Sequence, residues 1–152
     1  MASHSMADTF AKRSAQLRGY MFSQSTSTFE NNPWAVVNAM DEFAETKGRM
    51  MIFKKAKLDV AQAQLVAQQP TPRMILEFGT FVGKSAVDWG AILRDIYGAN
   101  VPENVNVYTF QVDPLMVSLS RDLIKLAGLR DVAHALEVPA CESLKKLNAE
   151  RK

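Results

Sequence analysis

The 152-residue sequence predicts an α/β fold in which several helices precede a parallel sheet. Three observations carry this. From residue 74 onward, short apolar runs alternate with helical patterns as strand–helix–strand–helix–strand–helix. Alternation of this kind implies parallel strands joined by right-handed crossovers. The run Met74-Ile75-Leu76-Glu77-Phe78 is short and apolar, the pattern of a strand buried within a parallel sheet. Finally, Asn32-Pro33 and Asp113-Pro114 each pair an N-cap side chain with a proline at the first helical position, marking two helix starts.

The elements follow in order. Residues 7–21 read as a helix, with Phe10, Leu17 and Met21 near one face. Residues 23–32 are rich in Ser, Thr, Gln and Asn and read as a loop. After Asn32-Pro33, Trp34, Val37, Met40 and Ala44 recur at helical spacing, and Gly48 is the expected stop. Trp34, Met40 and Phe43 are read as core. Residues 54–68 hold mostly good helix formers, with Lys54, Lys55 and Lys57 on a solvated face, until Pro70 and Pro72. Residues 79–83 form a turn, and 85–97 a helix with Val87, Ala91 and Leu93 or Ile92 facing inward. Residues 105–112 are β-branched and aromatic, a second strand. A helix through Leu115, Leu119, Leu123 and Leu126 ends at Gly128. Residues 132–138, including His134, read as a third strand, and 141–151 as a last short helix.

Composition narrows the function classes. The formal charge of +2 is no nucleic-acid signature, because neutralising several phosphates needs a clustered basic face. The single Cys141 excludes an intrachain disulfide and a Cys-rich zinc site, and His4 and His134 are too few for a histidine-based one. No apolar run approaches the ~18–20 residues of a membrane span, and the polar N-terminus lacks a signal-peptide apolar region. A reducing, cytoplasmic setting is expected.

The chemistry concentrates in Glu77-Phe78-Gly79-Thr80-Phe81-Val82-Gly83-Lys84-Ser85, where the first strand ends and a helix begins. Open α/β sheets bind ligands at that edge. A dinucleotide fingerprint would need G-x-G-x-x-G, which the sequence lacks. A phosphate-binding P-loop needs four residues before Gly-Lys-Ser, and only Thr80, Phe81 and Val82 separate Gly79 from Gly83. Losing one residue should spoil the nest of N–H groups, although Asp113 could imitate a magnesium-holding acid. The third pattern is E-x-G-x-x-x-G. It suits a nucleoside carrying an amino acid: Gly79 and Gly83 admit the methionine portion, and Glu77 orders the loop or meets an ammonium group.

The segment Ile75 to Val87 resembles the first motif of catechol O-methyltransferases, a class I S-adenosylmethionine-dependent family. Asn32-Pro33 through Lys47 is similar to that family's helix before the cofactor loop. Leu126-Ala127-Gly128-Leu129 is similar to the end of its helix after the second strand. The resemblance implies a Rossmann-like sheet of which this chain holds about three of seven strands. Residues 1–31 would then be a tail with one helix, and 32–152 a partial methyltransferase domain. S-adenosylmethionine is the implied cofactor and a small hydroxylated aromatic the implied methyl acceptor. Gly79 would lie against the methionine part with Phe81 beside it, and Ser85 would bond the carboxylate. Gln111 falls where the family usually has an acid gripping both ribose hydroxyls, so charge-assisted bonding is lost there. Asp113 could substitute for it or serve as an N-cap. Cys141 and Glu142 fall where polar groups surround the adenine. Met50, Met51 and Phe53 lie at the family's cofactor-touching loop, and equally suit an apolar connection.

The family's magnesium ligands and catalytic base come after two further strands. Only eleven residues follow Cys141, and none is Asp. No catalytic or metal residue is therefore assigned, and magnesium is expected only in a complete family member. Lys145, Lys146 and Lys152 read as a solvated helix face. A three-stranded piece would leave the first strand as an open apolar edge, which invites self-association or a partner chain. A non-catalytic assembly module derived from such an enzyme is the alternative.

Overall fold

A computed structural model describes residues 6–47, 50, 52–139, 142, 145 and 148. Four helices come first: α1 (Met6–Ser23), α2 (Thr26–Phe29), α3 (Pro33–Thr46) and α4 (Lys55–Ala67). Then β1 (Met74–Phe78), α5 (Lys84–Tyr97), β2 (Asn106–Gln111), α6 (Pro114–Leu126) and β3 (Ala133–Glu137) alternate, as the patterning predicts.

Both proline-marked starts are capped. Asn32 Oδ1 accepts the Ala35 N–H at 3.1 Å at the head of α3. Asp113 Oδ1 accepts from Leu115 N at 2.8 Å and Met116 N at 3.3 Å at the head of α6. The tail of α6 closes in a Schellman arrangement: Gly128 N donates to Lys125 O and Leu129 N to Ile124 O, both at 3.0 Å. That is the physical content of Leu126-Ala127-Gly128-Leu129. One expectation is corrected. Residues 23–32 are not all loop, because α2 forms a single turn that seats Phe29 in the core at 2% exposure. The predicted stop at Gly48 and most of the predicted helix at 141–151 lie outside the described residues.

The sheet has the order β1-β2-β3 with both pairs parallel. Its register makes two kinds of row. Ile75, Val107 and Ala133 share one row, and Glu77, Thr109 and Ala135 another. These rows face the core with α3, α5 and α6, where Val107, Ala133, Ala135, Val87 and Leu123 are buried. On the opposite face the rows are Leu76–Tyr108–His134 and Phe78–Phe110–Leu136. Tyr108 stacks on His134 at 5.2 Å and Phe78 on Phe110 at 5.4 Å between ring centroids. Among the described residues β1 pairs only with β2, so it forms one edge of the sheet, with Leu76 and Phe78 exposed.

The N-terminal helix is part of the same core. Leu17 and Met21 of α1 are buried with Val36, Val37, Met40 and Phe43 of α3. By contrast, α4 buries only Leu58, and its Val60 and Val66 face solvent. Helix α5 is the central pillar, buried from Lys84 through Leu93 except for Ser85 and Trp89. No helix among the described residues is long and apolar enough to cross a membrane.

Candidate cofactor site

All three strands run the same way, so their C-terminal ends share one edge of the sheet. The turn from Gly79 to Gly83 lies there, between β1 and α5. Gly79 N and Thr80 N donate to Phe110 O at 3.0 and 3.3 Å, pinning the turn to β2. Gly83 N donates to Thr80 O at 2.9 Å and closes it. Both glycines have positive φ, +98° and +85°, but their surroundings differ. A Cβ on Gly83 would stand 2.8 Å from the Ser120 Cα of α6, whereas one on Gly79 would meet no atom within 4 Å. Gly83 therefore serves the packing of α5 on α6, and Gly79 leaves open space at the sheet edge. The first-turn amides of α5 lie beside that space and have no carbonyl partner inside the helix. An anionic group would be welcome there.

Beneath the turn lies a chain of hydroxyls ending on an acid. Thr109 Oγ1 donates to Glu77 Oε2 at 2.6 Å. A hydroxyl has one proton, so the short Thr80–Thr109 contact must have Thr80 as donor. The order Thr80, Thr109, Glu77 thus ties the turn, β2 and β1 together. Burial raises the Glu77 carboxyl above its ordinary pKa, and hydrogen bonds from Ser85, Thr109 and Trp89 pull it back. A cation arriving at this carboxyl would favour its charged form.

The other expected contacts are distributed around this centre. Ser85 is half-buried in the first turn of α5, its hydroxyl beside Glu77. Phe81 has φ +49° and packs its ring edge-on against Phe10 of α1 at 5.5 Å. Gln111 folds back on its own loop, its Oε1 accepting from Val112 N at 2.8 Å and Asp113 N at 3.2 Å. That oxygen is thus occupied, while its amide nitrogen has no hydrogen-bond partner among the described residues. Asp113 caps α6. Glu142 is helical and exposed, its N–H donating to Pro139 O at 3.0 Å. Cys141 and Met51 lie outside the described residues. Phe53, from the connection before α4, packs on Trp89 at 5.4 Å, and Trp89 in turn donates a hydrogen bond to Glu77.

Sequence reasoning missed a charged cluster next to this turn. Lys84 is 1% exposed, and its Nζ lies 3.0 Å from both oxygens of Asp88 and 3.4 Å from Asp41 Oδ1 of α3. Burial pushes the Asp88 carboxyl up to about 7, although Lys84 draws it down; Asp41 and Glu77 push it further up. The signal was present: Lys84 and Asp88 stand four apart on a helix face shared with Val87, Ala91 and Ile92.

The residues at the turn fit a ligand with an amino-acid end: open space at Gly79, free helix amides and a carboxylate at Glu77. They do not fit a magnesium ion. Among the described residues no three acidic, histidine or cysteine side chains converge on a point.

No protein-family model matches the chain. Over 100 residues it is 26% identical to mouse catechol O-methyltransferase, a stretch covering 66% of this chain and 34% of the mouse protein. Its fold is similar to that of a candidate caffeoyl-CoA O-methyltransferase from Staphylococcus aureus, with a TM-score of 0.58 and 17% identity. That likeness covers 91% of this chain and 56% of the bacterial one. The chain thus spans about a third to a half of the length of these relatives. In sequence it is similar to class I O-methyltransferases, and its fold is their Rossmann-like parallel sheet with flanking helices.

Proposed function

We propose that the chain is the S-adenosylmethionine-binding portion of a catechol-type O-methyltransferase, which transfers methyl to a small hydroxylated aromatic. The observation that carries this reading is the Thr80–Thr109–Glu77 chain beneath an open Gly79 at the C-terminal edge of a parallel sheet. In this reading the first-turn amides of α5, Ser85 included, receive the cofactor's carboxylate, and Glu77 faces its ammonium group. Gly79 and Gly83 shape the turn, and Phe81 borders it. Gln111 offers its amide N–H to the ribose, while Cys141 and Glu142 border the adenine. When bound, the cofactor supplies an electrophilic methyl group; this chain's own residues bind and orient it. Residues 32–152 are the methyltransferase-derived part, with α1 added against them, and a cytoplasmic setting suits the single cysteine.

Calorimetric titration with S-adenosylhomocysteine tests the reading. Micromolar affinity is expected, with a loss of tenfold or more in Glu77→Gln. Absence of heat at millimolar ligand would sink it.

Two observations favour a second reading, a non-catalytic module that self-associates or completes its sheet with a partner chain. Gln111 has its oxygen committed to its own loop, and among the described residues β1 pairs with β2 alone, with Leu76 and Phe78 exposed. Association without cofactor binding would place this reading first.

A further inference from the structure

The cluster Lys84–Asp88–Asp41 has no role in the cofactor contacts above, yet it sits one residue beyond the turn. Ion pairs of this burial are a poor way to stabilise a fold. Desolvating the charges costs as much as their attraction returns, and apolar pairs of similar volume do as well or better. Here the pair sits at the start of the most buried helix, Lys84 in its first turn and Asp88 one turn on, at 1% and 0% exposure. Its third member, Asp41, comes from another helix. It lines a groove of about 300 Å³ with Asn38, Glu42, Ile52 and Lys54. The same connection carries Phe53, which packs on Trp89 beside Glu77. Lys84 therefore joins the start of α5 to α3 on one side of the turn, as Gly83 seats it on Ser120 of α6 on the other.

We propose that Lys84 is a positioning residue for the cofactor turn: held by Asp88 and Asp41, it fixes the first turn of α5 so that its amides converge on the ligand's carboxylate. The proposal rests on the reading that this turn receives S-adenosylmethionine. An ion pair suits such a task better than apolar contact, because its energy depends on direction and distance, whereas apolar packing tolerates sliding.

The test separates positioning from stability. Lys84→Met/Asp88→Leu replaces the pair by apolar groups, and Asp88→Asn keeps the shape while removing one charge. Urea unfolding and S-adenosylhomocysteine affinity are measured on both and on the unaltered chain. The double variant is expected to unfold at the same or higher urea concentration yet bind at least tenfold more weakly. Unchanged affinity in a stably folded double variant would overturn the proposal and leave the cofactor reading intact. If the double variant fails to fold, Asp88→Asn decides: a folded chain with weakened affinity supports positioning, and one with unaltered affinity overturns it. No binding by the unaltered chain would remove the cofactor reading itself, and this proposal with it.

Discussion

Gly79 and Gly83 share a positive φ, but their substitution should fail in different ways. Placing an L side chain in the left-handed region costs ~1–2 kcal/mol at either site. At Gly83 a methyl group also presses on the Ser120 backbone, and overpacking of that kind adds ~1–3 kcal/mol. Helix backbone cannot swing aside as a side-chain end can. Gly83→Ala is therefore expected to lower the urea midpoint clearly more than Gly79→Ala. Gly79→Ala should show the larger loss of S-adenosylhomocysteine affinity relative to its loss of stability, because its methyl group projects into open space where the ligand is placed. Equal effects of both variants on stability would refute this division of labour. At this scale the sequence was partly legible. The E-x-G-x-x-x-G spacing located the turn and Glu77, since glycine and a strand-end acid are rare enough to be read alone. It could not show that Thr109, 32 positions away, would donate to that acid, because only the β1–β2 register brings them together. Nor did residue type show that Gln111 would bond its own loop.

Between elements, the seam of α3 and α5 sets a pH dependence. Asp88 faces Lys84 on its own helix, Asp41 on α3 and Glu77 on β1. In the unfolded chain its carboxyl would titrate near the ordinary aspartate value; in the fold burial holds it up to about 7. Between those values the folded state binds the extra proton, so stability is highest on the acid side and falls as pH rises towards 7. Asp41 and Glu77 are raised as well, by burial first, and act in the same direction. His134 is lowered by burial and opposes them, since folding disfavours its charged form at acid pH. The expected result is a urea midpoint at pH 5 above that at pH 8, with a smaller difference in Asp88→Asn. An identical slope in the variant would show that Asp88 is not the group responsible. Helices α3 and α6 were legible because their starts carry their own chemistry, a cap followed by proline, and α6 also carries its own stop. Helix α2 was not, since polar residues hide a turn whose cause is the burial of Phe29 by distant elements. The Lys84–Asp88 pair was legible as spacing, but not as burial: i,i+4 charges are usually solvated, and the packing of distant elements, α3 among them, buries these.

The whole molecule is asymmetric about its sheet. One face carries α3, α5 and α6 over Val107, Thr109 and Ala133. The other carries two aromatic-rich rows ending at Leu76 and Phe78 on β1, the edge strand among the described residues, with Phe78 59% exposed. The alternation of the sequence foretold parallel strands, and among the described residues the first of them lies at an edge of the sheet. Which side chains share the second face was settled by register, which no local pattern encodes. An edge strand offers unpaired N–H and C=O groups, and one rich in apolar side chains is a template for another chain. The edge along residues 75–78 is short, so the backbone bonds alone would give weak pairing. The adjacent Leu76 and Phe78 add apolar area at ~25 cal/mol per Å² removed from water, enough to make association depend on concentration. Sedimentation velocity over a range of micromolar concentrations is therefore expected to show a sedimentation coefficient that rises with loading. Leu76→Lys/Phe78→Lys should hold the chain as a monomer across the range, because charges on an edge strand resist pairing and both side chains lie on the face away from the helices. Circular dichroism of the variant should match the unaltered chain, since neither residue is buried. A chain that stays monomeric at every concentration without these substitutions would mean that the β1 edge is not the contact, and the assembly reading would lose its physical basis.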